Sequence, residues 1–295
     1  MHKLGQTIKQ IRENKNITQK QMLSVKQSSL AAIESNKRLP SVEIFMNILR
    51  DLDIGLVEFF YIHNNFRLPE RDHLFKLFRE QKQTLNTDYI YHLKNEYDSY
   101  LSKNNDSFIE SLNHILDVYL EINRLQTFKI DNKKSYELWD KIADRKVWYH
   151  SDIYILTKIF YIFTPEQSEH MISKAIEELK KYADYPAIHE FRIAFLLNCS
   201  KHYILSNRIL ESKKYLIEAY KLAERHQIEL LKLTADYLLA YVDYEEGNTN
   251  KAHARFIRVV DSFEILNRQL LRDDITRDWN QFLLTNILDD LGLTI

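Results

Sequence analysis

Cys199 and His202 stand three residues apart in FRIAFLLNCSKHYIL, and they are the thiol and imidazole of this chain best spaced to work as nucleophile and base. That chemistry needs a thiolate, which forms in exposed, electropositive surroundings and not on an apolar helix. The segment is strongly apolar, so Cys199 reads as a buried structural residue. The 11 histidines are scattered, with His63 and His73 the nearest pair, ten residues apart. HExxH and CxxC are both missing, and the four glycines are not clustered as a phosphate-cradling loop requires. The acid pairs Asp273-Asp274 and Asp289-Asp290 fall near expected helix ends and read as solvated charge. The expectation is a non-enzyme with no metal and no cofactor.

A different chemistry is available in KQSSLAAIESNK, Lys26 to Lys37. A Gln amide can make two hydrogen bonds to an adenine edge in the major groove, and Ser can bond several bases. Gln27 and Ser28 stand at the start of this segment as base readers, while Ala32 offers a thymine only a methyl contact. Lys26, Lys37 and Arg38 suit phosphates, which set register without reading sequence. Gln19 begins the preceding segment, where free N–H groups of a helix start attract phosphate. Arg12 is either a further phosphate contact or a solvated surface residue; Glu34 and Asn36 read as structural.

These groups need a rigid frame, and the surrounding pattern supplies one. Leu4, Ile8 and Ile11 recur at helical spacing. ITQKQML predicts a second helix, with Thr18 and Gln21 as a capping box. Leu30 and Ile33 anchor a third, and Asn36 fits the left-handed conformation at its end. Pro40-Ser41 opens a fourth, with Phe45, Leu49 and Leu52 inward, and LVEFFYI after Gly55 makes a fifth. HNNFRLPERD, from His63 to Asp72, reads as a hinge, which gives a head over 1–65 and a body over 66–295.

Charge supports a division of labour. Residues 1–40 hold 8 Lys/Arg against 2 Asp/Glu, while the whole chain carries −1. A basic head on an acidic body fits nucleic-acid contact through the head, though a solvated basic face would look the same. Four glycines and four prolines in 295 residues leave few helix breakers, so the fold class is all-α. One cysteine cannot build a disulfide framework, the start MHKLGQTIKQ lacks an apolar signal region, and IYILTKIFYIF is too short to cross a bilayer. The expected compartment is the cytoplasm.

In the body, SEHMI, SKKYL and AHARF each open the second helix of an expected hairpin, 44 and then 40 residues apart. YVDYEEGNTNKAHARF resembles a tetratricopeptide hairpin, with a Gly-Asn turn between an aromatic helix and a return helix. Such hairpins bury their apolar faces by stacking, and the stack curves around a groove.

The first 60 residues resemble the Xre/phage-repressor class of helix-turn-helix, through IKQIRENKNITQKQML, SSLAAIESNK and LPSVEIFMNILRDLDIGLVEFF. The turn before the third helix is about two residues shorter than in that class, and its glycine is missing. The whole chain resembles the Rgg/GadR/MutR regulators, relatives of PlcR and PrgX, through VWYHSDIYILTKIF and FRIAFLLNCSKHYIL. The resemblance implies a cytoplasmic homodimer that binds promoter DNA and takes a short hydrophobic signalling peptide in the groove.

Candidate groove residues follow. Phe191, Phe195, Asn198 and His202 form one stripe on a helix. From the residues alone Asn198 fits first a helix–helix bond inside the stack; in the groove that the resemblance implies, it suits a peptide backbone, since its amide donates and accepts at once. Tyr237, Tyr241 and Tyr244 form a second stripe, which at this spacing also describes core. Trp148, Tyr149, Asp152 and Arg192 complete the set. Two other readings stay open: an interaction adaptor with secondary DNA binding, and a repressor that needs no ligand.

Overall fold

The computed structural model describes residues 4–80, 87–127 and 130–290, the last four of these by backbone alone, so the side chains of Asp289 and Asp290 lie outside the described residues. Every regular element among the described residues is helical. The chain divides into two compact units, 1–113 and 114–295.

In the first unit, α1 (Leu4–Asn14), a 3-10 turn (Gln19–Gln21), α2 (Gln27–Glu34), α3 (Val42–Asp51) and α4 (Leu56–His63) surround one core. That core is Ile8, Ile11, Met22, Leu30, Ile33, Ile48, Leu49, Leu52 and Phe59. Burying side chains of this size contributes about 1.5–3 kcal/mol each. Ser41 caps α3 by accepting from the Ile44 N–H at 3.3 Å. The expected second helix is only a single 3-10 turn. Gln21 Oε1 accepts from both the Thr18 N–H and hydroxyl, at 2.7 and 2.8 Å, closing the turn on itself. The chain then extends at Met22, and Ser24 is held to Asp51 of α3 through its N–H and hydroxyl at 2.9 and 2.6 Å. These anchors leave no length for a second helical turn. α5 (Glu70–Glu80) and α6 (Thr87–Leu101) follow and pack on each other, and α7 (Ser107–Leu125) contains the division between the units.

The second unit continues with α8 (Lys133–Ala143), α9 (His150–Leu156), a 3-10 turn (Phe160–Ile162) and α10 (Pro165–Lys180). Then come α11 (Ile188–Leu205), α12 (Ile209–Arg225), α13 (Glu229–Glu245), α14 (Thr249–Ile265) and α15 (Gln269–Asp290). From α11 on, each helix packs on the next, and α11 also reaches α13. Four turns repeat at 20-residue intervals, each with one left-handed residue: Asn207, Gln227, Gly247 and Asn267. The following N–H bonds a carbonyl five residues back in every case: Arg208 to Tyr203, Ile228 to Ala223, Asn248 to Asp243 and Arg268 to Phe263, at 2.8–2.9 Å. This is the Schellman closure, which satisfies the orphan carbonyls of a helix end. Ser168, Ser212 and Ala252 are each the fourth residue of α10, α12 and α14, and each is fully buried. A small side chain there lets neighbouring helices approach closely. No helix among the described residues is long and apolar enough to cross a membrane.

Candidate nucleic-acid interface and ligand surface

Two close contacts fix α2 in the first unit. Gly5 of α1 lies so near α2 that a Cβ would stand 1.9 Å from the Ile33 carbonyl oxygen. Its N–H donates to Asn36 Oδ1 at 3.0 Å, and Asn36 itself is left-handed, with φ 58°. Arg12 then grips Glu34 at two points, Nε to Oε1 at 2.6 Å and Nη2 to Oε2 at 2.9 Å, while its Nη1 donates to the Ile17 carbonyl at 2.7 Å. Both side chains are buried, and the carboxylate holds the guanidinium above its ordinary pKa. Arg12 is therefore neither a phosphate contact nor a solvated residue. It is a buried tie whose partner, Glu34, is one of only two acids in a strongly basic stretch.

This frame presents the start of α2 to solvent. Lys26, Gln27 and Ser28 are exposed, as are Lys37 and Arg38 beyond its end, and Ala32 is half-buried. Lys26 is the N-cap and makes no side-chain cap bond, so the first N–H groups of α2 keep free valence for an anion. Gln19 is placed differently from the other polar candidates. It is half-buried and its Nε2 donates to Glu34 Oε2 at 2.7 Å.

In the second unit, many of the candidate groove residues are interior. Trp148 is fully buried, edge-on to Trp139, with its indole N–H donating to the Ile142 carbonyl at 2.9 Å. Phe195 packs against Phe160, ring centroids 5.6 Å apart. His202 is buried and shares a 3.2 Å hydrogen bond with the Ser168 hydroxyl. Desolvation, and then the nearby Arg208, lowers its pKa to about 4. Burial likewise pushes the Cys199 thiol well above its usual range, which removes the thiolate a nucleophile would need. Tyr237 and Tyr241 are buried with their hydroxyls bonded to each other, and Tyr241 packs edge-on to Trp279 of α15. Desolvation pushes Tyr241 up to about 12, and Tyr237 is raised by the same cause. Asp152 is buried, accepts from the Tyr149 N–H at 3.0 Å and pairs with Arg145.

Three candidates reach the surface. Arg192 is half-buried and paired with Glu218 of α12. Tyr149 is exposed at the N-cap of α9. Asn198 is exposed and its side chain forms no hydrogen bond among the described residues, so the helix–helix bond it also suited is not made. It lies on a strip of α11 with Phe191 and Ala194, both half-buried, and exposed Lys201. A patch that sequence reasoning did not assemble stands at the Phe191 end. His150, Tyr154 and Tyr185 converge there with Phe191, the His150 ring 5.1 Å from Tyr185 and 5.3 Å from Phe191. Its residues come from α9, α11 and the connection before α11, and no local spacing joins them.

Two family models match the chain, one after the other. A helix-turn-helix family model matches residues 8–59, and the model for the C-terminal domain of the HTH-type transcriptional regulator Rgg matches residues 88–277. Three solved structures are similar over nearly their whole length. One is a transcriptional-regulator structure from Listeria monocytogenes EGD-e, with TM-score 0.77, 19% identity and 99% of each chain covered. Another is the SHP pheromone receptor Rgg2 of Streptococcus dysgalactiae, with TM-score 0.69, 14% identity, and 94% of this chain and 99% of that one covered. The third is PlcR of Bacillus thuringiensis in complex with the peptide PapR7 and DNA, with TM-score 0.65, 19% identity, and 93% and 99% covered. At these identities the structures speak for the fold, and the family models speak for descent: the chain belongs to the Rgg family of helix-turn-helix transcriptional regulators.

Proposed function

We propose that this regulator is controlled by a short hydrophobic signalling peptide and works as a cytoplasmic homodimer. Residues 1–65 form the DNA-binding head and 66–295 the body that takes the peptide and pairs the two copies. Gln27 and Ser28 read base edges, Ala32 meets a thymine methyl, and Lys26, Lys37 and Arg38 hold phosphates. Gln19 is tied to Glu34 at the start of the 3-10 turn and holds phosphate from there.

The observation that carries the peptide reading is Asn198. It is an exposed amide, free of internal partners among the described residues, on a strip whose neighbours Phe191 and Ala194 are apolar. A main-chain peptide group offers such an amide both partners it lacks. Tyr149 and Arg192 are the other surface contacts, and the buried Trp148, Asp152, Phe195, His202, Tyr237 and Tyr241 support the helices that carry the ligand surface. The pheromone receptor Rgg2 and the peptide- and DNA-bound PlcR share this fold, which supports a similar use. A head with few base-reading groups gains specificity by pairing, since two copies read two half-sites about one helical turn apart. Peptide binding then shifts the population between two dimer states. Reporter transcription tests this reading: a short hydrophobic peptide encoded beside the gene changes expression in the wild type, and Asn198→Ala blunts the response at unchanged protein level. The same response in both would refute the assignment of Asn198.

A further inference from the structure

Lys158 follows α9 in the apolar stretch IYILTKIFYIF, and it is half-buried. Its Nζ sits 5.2 Å over the ring of Tyr154. Among the described residues it has no ion pair and no side-chain hydrogen bond, and Asp152, on the preceding helix, is committed to Arg145 and to the Tyr149 N–H. Desolvation holds the ammonium below its ordinary pKa. An ammonium withdrawn from water is costly unless an opposite charge meets it, and a ring face compensates only part of that cost.

The surroundings give this cation an opening. Tyr154 stacks on Phe191, with centroids 5.8 Å apart and planes 17° from parallel. Phe191 also touches His150, which touches Tyr185, and Tyr185 is 49% exposed. Phe191 stands two helical turns from Asn198 on the same strip of α11, about 10 Å along the axis. Through Tyr154, one end of the strip thus meets a cation with no ion-pair partner beside a partly open aromatic patch, and the exposed amide lies further along.

We propose that Lys158 and the aromatic patch form the anchor for a carboxylate on the ligand, with Tyr154, Phe191 and His150 packing its neighbouring apolar side chain. The ligand class is an apolar peptide with a free carboxylate at the end that reaches Phe191. The assignment rests on the peptide reading above and adds polarity to it: one terminus at Lys158, main chain at Asn198. A cationic end would be repelled, and an amidated end would leave the ammonium uncompensated.

The test uses the full chain and two randomised pools of octapeptides rich in Leu, Ile, Phe and Trp, one ending in a free carboxylate and one in an amide. Peptides retained by the immobilised protein are counted by mass spectrometry. The wild type is expected to retain the acid pool about ten-fold better than the amide pool. Lys158→Met should bring the two pools to parity and Lys158→Arg should keep the preference, with circular dichroism showing both variants folded. Equal retention by the wild type, or an undiminished preference in Lys158→Met, would overturn the anchor while leaving the peptide reading standing. Retention of neither pool by the wild type would overturn both.

Discussion

Arg12 and Glu34 form a buried two-point ion pair, 2.6 and 2.9 Å long, that ties α1 to the last residue of the helix carrying Gln27. Removing one partner leaves the other as a buried, uncompensated charge, which costs about 3–5 kcal/mol. Glu34→Ala should therefore lower stability in denaturant titrations by that order. The double change Arg12→Met with Glu34→Leu should recover most of it. If Arg12→Ala weakened DNA binding with stability intact, the pair would be incidental and Arg12 a phosphate contact after all.

Gly5 packs where a methyl group cannot. Gly5→Ala would place a carbon 1.9 Å from the Ile33 carbonyl oxygen, and backbone cannot yield as a side chain does. The amide spectrum of Gly5→Ala should lose the dispersed signals of α1 and α2. A native-like spectrum would mean that α1 and α2 are not held as closely as this structure has them.

His202 makes stability depend on pH. Its folded pKa of about 4 lies below the ordinary value of 6.5, so between these values the unfolded chain binds the extra proton and stability falls as pH falls. Above pH 7 both states are neutral and the penalty vanishes. From pH 7 to pH 5 the expected loss is about 2 kcal/mol. His202→Gln should flatten that part of the profile. An unchanged slope in the variant would place the titration elsewhere.

At the DNA surface, Gln27 and Lys37 should fail in different ways. Gln27→Ala is expected to cost about 1–3 kcal/mol on the operator and to relax preference at one base position. Lys37→Ala should weaken every sequence alike and reduce the salt slope by about one. Binding measured on the operator and on single-base variants separates the two. Equal losses on all sequences for both would remove Gln27 as a base reader.

Much of the head was legible because its signals are local. Leu30 and Ile33 show helical spacing, Ser41 is a cap and Asn36 a left-handed terminus, and each occupies the expected place. The second helix was overread, because the anchors that shorten it, Gln21 on Thr18 and Asp51 on Ser24, act partly across 27 residues. Arg12 was misread for the same reason, its partner lying 22 residues away. In the body, the small residues Ser168, Ser212 and Ala252 marked the return helices correctly, but the 20-residue rhythm of turns did not stand out. Asn207, Gly247 and Asn267 carry the usual left-handed residue types, whereas Gln227 gives no such signal. Helical stripes located α11 and α13 but could not tell their faces apart. α13 packs against α11, α12 and α14, so Tyr237 and Tyr241 are interior and Tyr244 half-buried, while Asn198 of α11 is exposed.

Peptide control of DNA binding by this chain is open to direct measurement. Fluorescence anisotropy of a labelled duplex from the region upstream of the gene, titrated with the wild-type protein, tests it directly. With the short hydrophobic peptide encoded beside the gene, the binding midpoint should shift by about ten-fold or more, a coupling of about 1.4 kcal/mol. Superimposable titrations with and without every such peptide, at concentrations that saturate the DNA, would contradict the claim and leave a regulator that needs no ligand.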